Sequence, residues 1–337
     1  MKRIEYLDAM KGFAIILMIM GHVIAWNYGD FKEIVVLTEV QPTNVKWGGV
    51  IWQLIYSFHM ALFFMISGFL SYKDSGVDKV GNFVIKKVKR LLVPWVFTFG
   101  IIFFARGSMG YWFLLSLFEI ALIGYVFLKL LQQFKSHSII IDALLAVSFY
   151  WALRFISGVC IYDVRLDIFT NYWLPFCFGI IMHKYNWLNK MCCNNELFFT
   201  ANLLVFAISF TSRYVQSSLF LEEINRFSSY YLAISGCLII WHIFANIKNE
   251  MGLKWLSILG KKTMPIYILH VLFVIQIPAV GHFFLSLNPV TSVTLQLSYS
   301  LLITCIAVFW SLIAYKCLNN SRILSAVLFG EYEINKE

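Results

Sequence analysis

Residues 7–26 read LDAMKGFAIILMIMGHVIAW, an apolar run that carries Lys11 near one end and His22 past its middle. About 20 apolar residues cross roughly 30 Å of hydrocarbon as a helix. An ionisable group inside such a segment is expensive enough to mark function or a paired partner. Similar runs recur along all 337 residues, of which 60% are hydrophobic and 13% charged. Soluble domains are nearer half apolar and a quarter charged, and a β-barrel would show short alternating segments instead. The expected fold is therefore all-α: a polytopic transmembrane helical bundle forming a single domain over 1–337. The first run continues to Trp26 without a small-residue cleavage site, so it reads as the first span rather than a signal peptide.

Ten spans are expected, at 9–27, 49–71, 91–106, 110–131, 139–157, 166–183, 196–212, 229–247, 262–280 and 294–316. The third is short and contains Pro94; the sixth contains Asn171 and Pro175. Lys and Arg set the orientation. With the N-terminus inside, 19 of the 27 Lys and Arg fall on the inner side and 7 on the outer, with Lys11 within the first span. That asymmetry expects both termini in the cytoplasm. It also accounts for the net charge of +9 through basic inner loops rather than through a nucleic-acid partner. Of the seven cysteines only Cys160 falls close to the outer surface, so no disulfide is implied.

Lys11 and His22 are eleven residues apart, which returns them to nearly one helix face, about 20° off and about 16 Å apart along the axis. Ile15 and Met18 lie between them on the same stripe. Asp8, one turn before Lys11, is placed to pair with it, and Gly21 lets another backbone come close to His22. Lys11 alone is explained equally well as a headgroup anchor. His22 is placed deeper, and imidazole is the side chain whose ordinary pKa suits a neutral-pH base. A cation and an imidazole on one stripe at opposite depths suit a ligand long enough to touch both.

A basic residue, ten residues and a His on a span that opens YLDAMKG resembles the acyltransferase-3 family of bacterial membrane O-acyltransferases. FHMALFFMISGFL (58–70), KKVKRLLVPW (86–95), GYWFLLSLF (110–118) and MPIYILH (264–270) resemble further segments of that family, in its order. The LDAMKGFAIIL style is most similar to the sugar O-acetylase members. The resemblance implies a bacterial inner-membrane enzyme without a cofactor. Its donor would be an acyl-CoA, usually acetyl-CoA, approached from the cytoplasm. Its acceptor would be a hydroxyl of a cell-surface or lipid-linked glycan. It places His22 at the chemistry and Lys11 on the donor path, although Lys11 stands where the family most often has Arg, and Lys lacks the bidentate fork for phosphate.

Other polar groups join these. Glu119 is placed near the middle of the fourth span, where an acid could orient His22 and stabilise its imidazolium, or pair with another span. His59, near midplane depth in the second, could hold the acceptor or simply bond a neighbour. His270, expected in the inner half of the ninth, divides equally between donor contact and structure. Arg90 begins RLLVPW at the membrane edge and is the favoured CoA phosphate contact. Arg154, Asp163, Arg165 and Asp167 cluster at an outer end and read as ordinary loop charges. HSIIID (137–142) fits a His-four-residues-Asp acyltransferase pattern but lacks any supporting phosphate motif. No Cys/His metal spacing, P-loop or Rossmann glycine pattern is present. The competing reading is a polyprenol-linked glycan or small-solute transporter, which would also explain intramembrane His and Glu.

Overall fold

The computed structural model describes residues 4–27, 46–73, 79–106, 112–133, 138–159, 166–211, 219–248 and 250–332. All regular structure among them is helical: α1 (Glu5–Asn27), α2 (Lys46–Ser71), α3 (Val80–Lys87), a π-helical turn (Val88–Leu92), α4 (Val93–Arg106), α5 (Trp112–Gln133), α6 (Ile139–Val159), α7 (Leu166–Lys184), α8 (Asn186–Asn194) and α9 (Glu196–Thr211). Then come α10 (Leu219–Asn246), α11 (Glu250–Lys261), α12 (Thr263–Phe273), α13 (Pro278–Leu285), α14 (Pro289–Leu318) and α15 (Arg322–Phe329).

Six of the described helices are long and apolar enough to cross a membrane, or up to eight spans if α8 with α9 and α11 with α12 each count as one bent span. Every expected span has a helix at its position, with differences of path. The third is the 14-residue α4, preceded by the π turn. The ninth does not run through 262–280. It is helical only to Phe273, non-helical at 274–277, and resumes as α13 at Pro278. The cause is Pro278, which disfavours helix in the residue before it; Ile277 has φ −133°, ψ 81°.

The chain divides into two compact units. The first comprises Met1–Leu62 and Cys192–Tyr315. Its centre is α1, which buries fourteen of its 23 residues and packs on α10, α11, α12 and α13. Two glycines permit the closest crossing. A Cβ on Gly12 would lie 2.0 Å from the Leu256 carbonyl oxygen, and one on Gly260 would lie 1.7 Å from the Asp8 carbonyl oxygen. Small residues are the usual means by which membrane helices approach this closely, because lipid supplies no hydrophobic drive between them.

The second unit comprises Phe63–Met191 and Lys316–Glu337. It repeats the device: Gly68 faces the Phe176 carbonyl and Gly179 the Met65 carbonyl, each leaving no room for a Cβ. Trp173 donates from Nε1 to the Ala146 carbonyl at 3.0 Å, tying α7 to α6. Asp142, the acid of HSIIID, is fully buried and accepts from Lys184 Nζ at 2.6 Å and Tyr185 Oη at 2.8 Å, while His137 lies outside the described residues. The opposite face of α6 exposes Ile140, Ile141, Leu144, Val147, Trp151 and Phe155, as a lipid-facing surface would.

Candidate active site

Four of the six expected site residues, Lys11, His22, His59 and His270, belong to the first unit; Arg90 and Glu119 belong to the second. In the first unit the polar groups form a ladder at constant offset. His22 Nδ1 lies 3.0 Å from His270 Nε2, a separation of 248 residues. Ten residues before each stand Gly12 and Gly260, the close crossing. Five residues after each stand Asn27 and Ile275, joined by a hydrogen bond from Asn27 Nδ2 to the Ile275 carbonyl at 3.4 Å. Residues 260–275 therefore climb beside α1 in parallel register. This corrects the depth expected for His270. The chain turns through 79° between α11 and α12, so His270 stands level with His22 rather than in the inner half of a straight span.

The hydrogen-bond partners fix the tautomers. His270 Nδ1 faces the Tyr267 and Ile266 carbonyls at 2.7 and 3.2 Å. Carbonyls only accept, so Nδ1 carries the proton and the neutral ring presents a lone pair at Nε2. His22 must then donate from Nδ1, which leaves His22 Nε2 unprotonated. A neutral imidazole with its Nδ1–H engaged and its Nε2 lone pair available is a general base. The His22 ring stacks on Trp26, centroids 5.0 Å apart and planes 9° apart. It is only half-buried, whereas His270 is buried.

The group at His22 Nδ1 is His270; Glu119, read from the sequence as either orienting His22 or pairing with another span, belongs to the second unit. Glu119 is half-buried on α5, with no hydrogen-bond or ion-pair partner among the described residues. His59 is fully buried and donates from Nδ1 to the Ile55 carbonyl at 2.7 Å. Its Nε2 has no partner among the described residues. It lies under the edge of Tyr56, centroids 4.7 Å apart, and Tyr56 in turn meets the position where Gly21 would carry a Cβ. Gly21 therefore admits side chains, Tyr56 and Ile55 of α2, where the sequence reading expected another backbone. At the base of α1, Lys11 Nζ pairs with Asp8 Oδ1 at 2.6 Å, one turn apart as the spacing expects.

His183 and His242 have structural partners. His183 Nδ1 donates to the Phe69 carbonyl at 2.5 Å and stacks on its ring; His242 donates to the Cys192 carbonyl at 3.2 Å. Of the charge cluster at 154–167, Arg154 lies in α6 and Asp167 in α7, while Asp163 and Arg165 lie outside the described residues.

Asn27 is a residue that sequence reasoning missed. It is buried at 2% exposure and bonds four groups: it donates to the Val23 and Ile275 carbonyls and accepts from Ile277 N–H at 2.7 Å and Tyr299 Oη at 3.3 Å. A helix broken in a membrane leaves backbone groups that a neighbour must satisfy, and Asn27 does this for the break at 274–277. The break itself is signalled by Pro278. Its partner, about 250 residues away, is not.

In the second unit, Arg90 is exposed within the π turn. Half-buried Lys87 stands one turn before it, with its Nζ 5.4 Å from the Phe83 ring centre. Burial first, then the like charges of Arg90 and Lys73, push the Lys87 ammonium down to about 8. The arrangement is a crowded cationic corner at the foot of α4.

No group of three or more His, Cys, Asp and Glu that could hold a metal ion occurs among the described residues. No curated protein and no solved structure matches the chain significantly. A family model described as an acyltransferase domain, acyltransferase-3, matches residues 4–316. With membrane-length helices through both units, and the basic residue, the histidine and the late MPIYILH segment all inside the matched range, the chain belongs to the acyltransferase-3 family of membrane acyltransferases.

Proposed function

We propose that this membrane acyltransferase moves an acetyl group from cytoplasmic acetyl-CoA to a hydroxyl of a cell-surface or lipid-linked glycan, in a bacterial inner membrane with both chain ends inside. The observation that carries the reading is the His22–His270 hydrogen bond. As the acceptor hydroxyl attacks the thioester carbonyl, its proton passes to His22 Nε2. The new charge on His22 is stabilised through its Nδ1–H on the His270 lone pair, the place an acid takes in a hydrolase triad. The thiolate leaves as CoA and recovers a proton. An acetyl group held transiently on His22 is the covalent variant. His59, with its free Nε2 beside Tyr56, contacts the acceptor. Lys11, tied to Asp8 at the base of the same stripe, and Arg90 in the cationic corner contact the donor. Glu119 acts on turnover rather than donor affinity.

The transporter alternative gains one observation, the helix pairs bent by 76° and 79°, since broken helices are common in transporters. Mass spectrometry of envelope glycans with and without the protein separates the two. A gain of one acetyl group supports transfer; an unmodified but mislocated glycan overturns it.

Two expected results follow from particular residues. Asn27→Ala, which removes two bonds at the helix break together with those to Val23 and Tyr299, is expected to lower turnover about five- to tenfold with little change in donor affinity, since interhelical bonds in membranes are worth under about 1 kcal/mol each. Steady-state rates against acetyl-CoA concentration test this; a defect confined to KM would assign Asn27 to the donor. The second concerns pH. Lys87 is charged below about 8 and neutral above it, so its attraction for the donor's phosphates is present at low pH and fades as pH rises through that value. Donor Kd measured from pH 6.5 to 9.5 should weaken by about three- to tenfold across pH 8, as expected for one charge-assisted contact, and Lys87→Gln should flatten the profile. A pH-independent Kd in the parent protein removes Lys87 from the contact.

A further inference from the structure

The family match ends at residue 316, yet the chain beyond it is well folded against the second unit. Ser321 caps α15, its side chain accepting from Leu324 N–H at 3.4 Å. Ser325, Leu328 and Phe329 are buried, and α15 packs on α4. The helix ends in a left-handed residue, Gly330 at φ 67°. Its amide bonds the Ala326 carbonyl at 3.1 Å, while Glu331 N–H bonds the Ser325 carbonyl at 3.3 Å, the closed ending that a glycine permits.

What Gly330 touches is the π turn. A Cβ there would lie 2.8 Å from Arg90 Cα and 3.0 Å from both the Arg90 and Lys89 carbonyl oxygens. The turn is open at that point for a covalent reason. Pro94, four residues after Arg90, has no N–H to give to the Arg90 carbonyl, and the ladder instead closes as Val93 N–H to Val88 carbonyl. Two residues past Gly330, the Tyr332 ring lies under Lys89, with Nζ 5.0 Å from the ring centre. The closing segment thus holds the turn from its backbone side at Arg90 and from its side-chain side at Lys89. Arg90 itself remains exposed.

We infer that α15 with Gly330 and Tyr332, which lies outside the family domain, is a brace that sets the shape of the cationic turn and thereby the affinity for the donor's phosphates. The inference rests on the reading of Arg90 as a donor-phosphate contact. A wide turn built around a proline would otherwise have many arrangements of Arg90 and Lys89, and holding one of them lowers the ordering cost of binding. Tyr332 and Gly330 would be positioning residues, acting through Arg90 and Lys89 without touching the donor.

The test is binding of acetyl-CoA and of acetyl-pantetheine, which lacks the nucleotide and its phosphates, to the full-length protein in lipid nanodiscs by calorimetry. Arg90→Gln should weaken acetyl-CoA and leave acetyl-pantetheine unchanged; equal acetyl-CoA affinity in Arg90→Gln overturns the phosphate reading and the brace with it. Given the Arg90 effect, Tyr332→Ala should weaken acetyl-CoA alone by about threefold, the size of an exposed cation–π contact. Tyr332→Phe should restore it. Gly330→Ala should weaken acetyl-CoA by about fivefold or more, through strain at a left-handed residue. Tyr332 is half exposed, so its variants are not threatened by misfolding. Unchanged acetyl-CoA binding in Tyr332→Ala and Gly330→Ala, beside a weakened Arg90→Gln, overturns the brace while the phosphate site stands. Equal weakening of both ligands also overturns it, as the mark of general damage.

Discussion

His22→Ala is expected to reduce acetyl transfer by about 10²- to 10⁴-fold, the usual contribution of a positioned general base. The protein should still insert and keep its thermal unfolding profile, because the side chain is half-buried and its loss leaves only the His270 lone pair unmatched. His270→Phe keeps a flat ring but offers no acceptor. His22 can then hold its proton on either nitrogen, and turnover should fall by about ten- to a hundredfold, less than for the base itself because the nucleophile-facing nitrogen survives. His270→Gln supplies an amide oxygen in the acceptor's place and should recover part of the loss. The readout is the initial rate of acetyl-CoA consumption per folded molecule, in membranes that contain the acceptor. Rates near wild type in His22→Ala would remove this residue from the chemistry. Equal losses in His270→Phe and His270→Gln would reduce His270 to a packing residue.

Gly260→Ala tests the ladder at its base. One added methyl would sit 1.7 Å from the Asp8 carbonyl oxygen, against α1 backbone, so α1 and α11 must separate. Overpacking a core with side-chain freedom costs about 1–3 kcal/mol. Backbone against backbone cannot yield by changing rotamer, so the expected loss is at the upper end or beyond, with a fall in unfolding temperature and in yield. The folded fraction should also be slow, since the crossing sits ten residues from the His22–His270 contact along both segments. Gly81→Ala, at a position with open space around its Cβ, is the matching control and should behave as wild type. A Gly260→Ala protein of parent stability would mean the two helices do not need this separation.

The helical membrane architecture was legible because hydropathy reports directly on the bilayer, and the Lys11–His22 stripe was legible because both residues lie on one helix, where spacing is geometry. The Asp8–Lys11 pair followed for the same reason. What was not legible depends on contacts between helices distant in the chain. MPIYILH marks His270 as a polar group in an apolar segment, yet nothing local says that its partner is His22. The 79° turn that places it there arises where Lys261 and Lys262 follow a glycine held against α1. Glu119 illustrates the limit: an acid and a histidine expected at similar depth invite pairing, but depth is one coordinate and does not say which helices meet.

The π turn at Val88–Leu92 is, in terms of chain length, an insertion: one residue more than an α-helix needs over the same rise. Removing Val88 would let the turn relax to ordinary helix without deleting any charge, proline or glycine. Five residues in the π turn and four in an α turn cover nearly the same rotation, so Lys86 and Lys87 would keep nearly the same face relative to α4, while the wide Val93 N–H to Val88 carbonyl closure would be lost. A single-codon deletion would in this way do what no substitution at the corner can, keeping its charges while removing the wide backbone against which Gly330 packs. Length at this turn, and not only residue identity, therefore decides whether the wide turn forms, so a deletion scan from 86 to 93 is expected to be less tolerant than an alanine scan over the same residues.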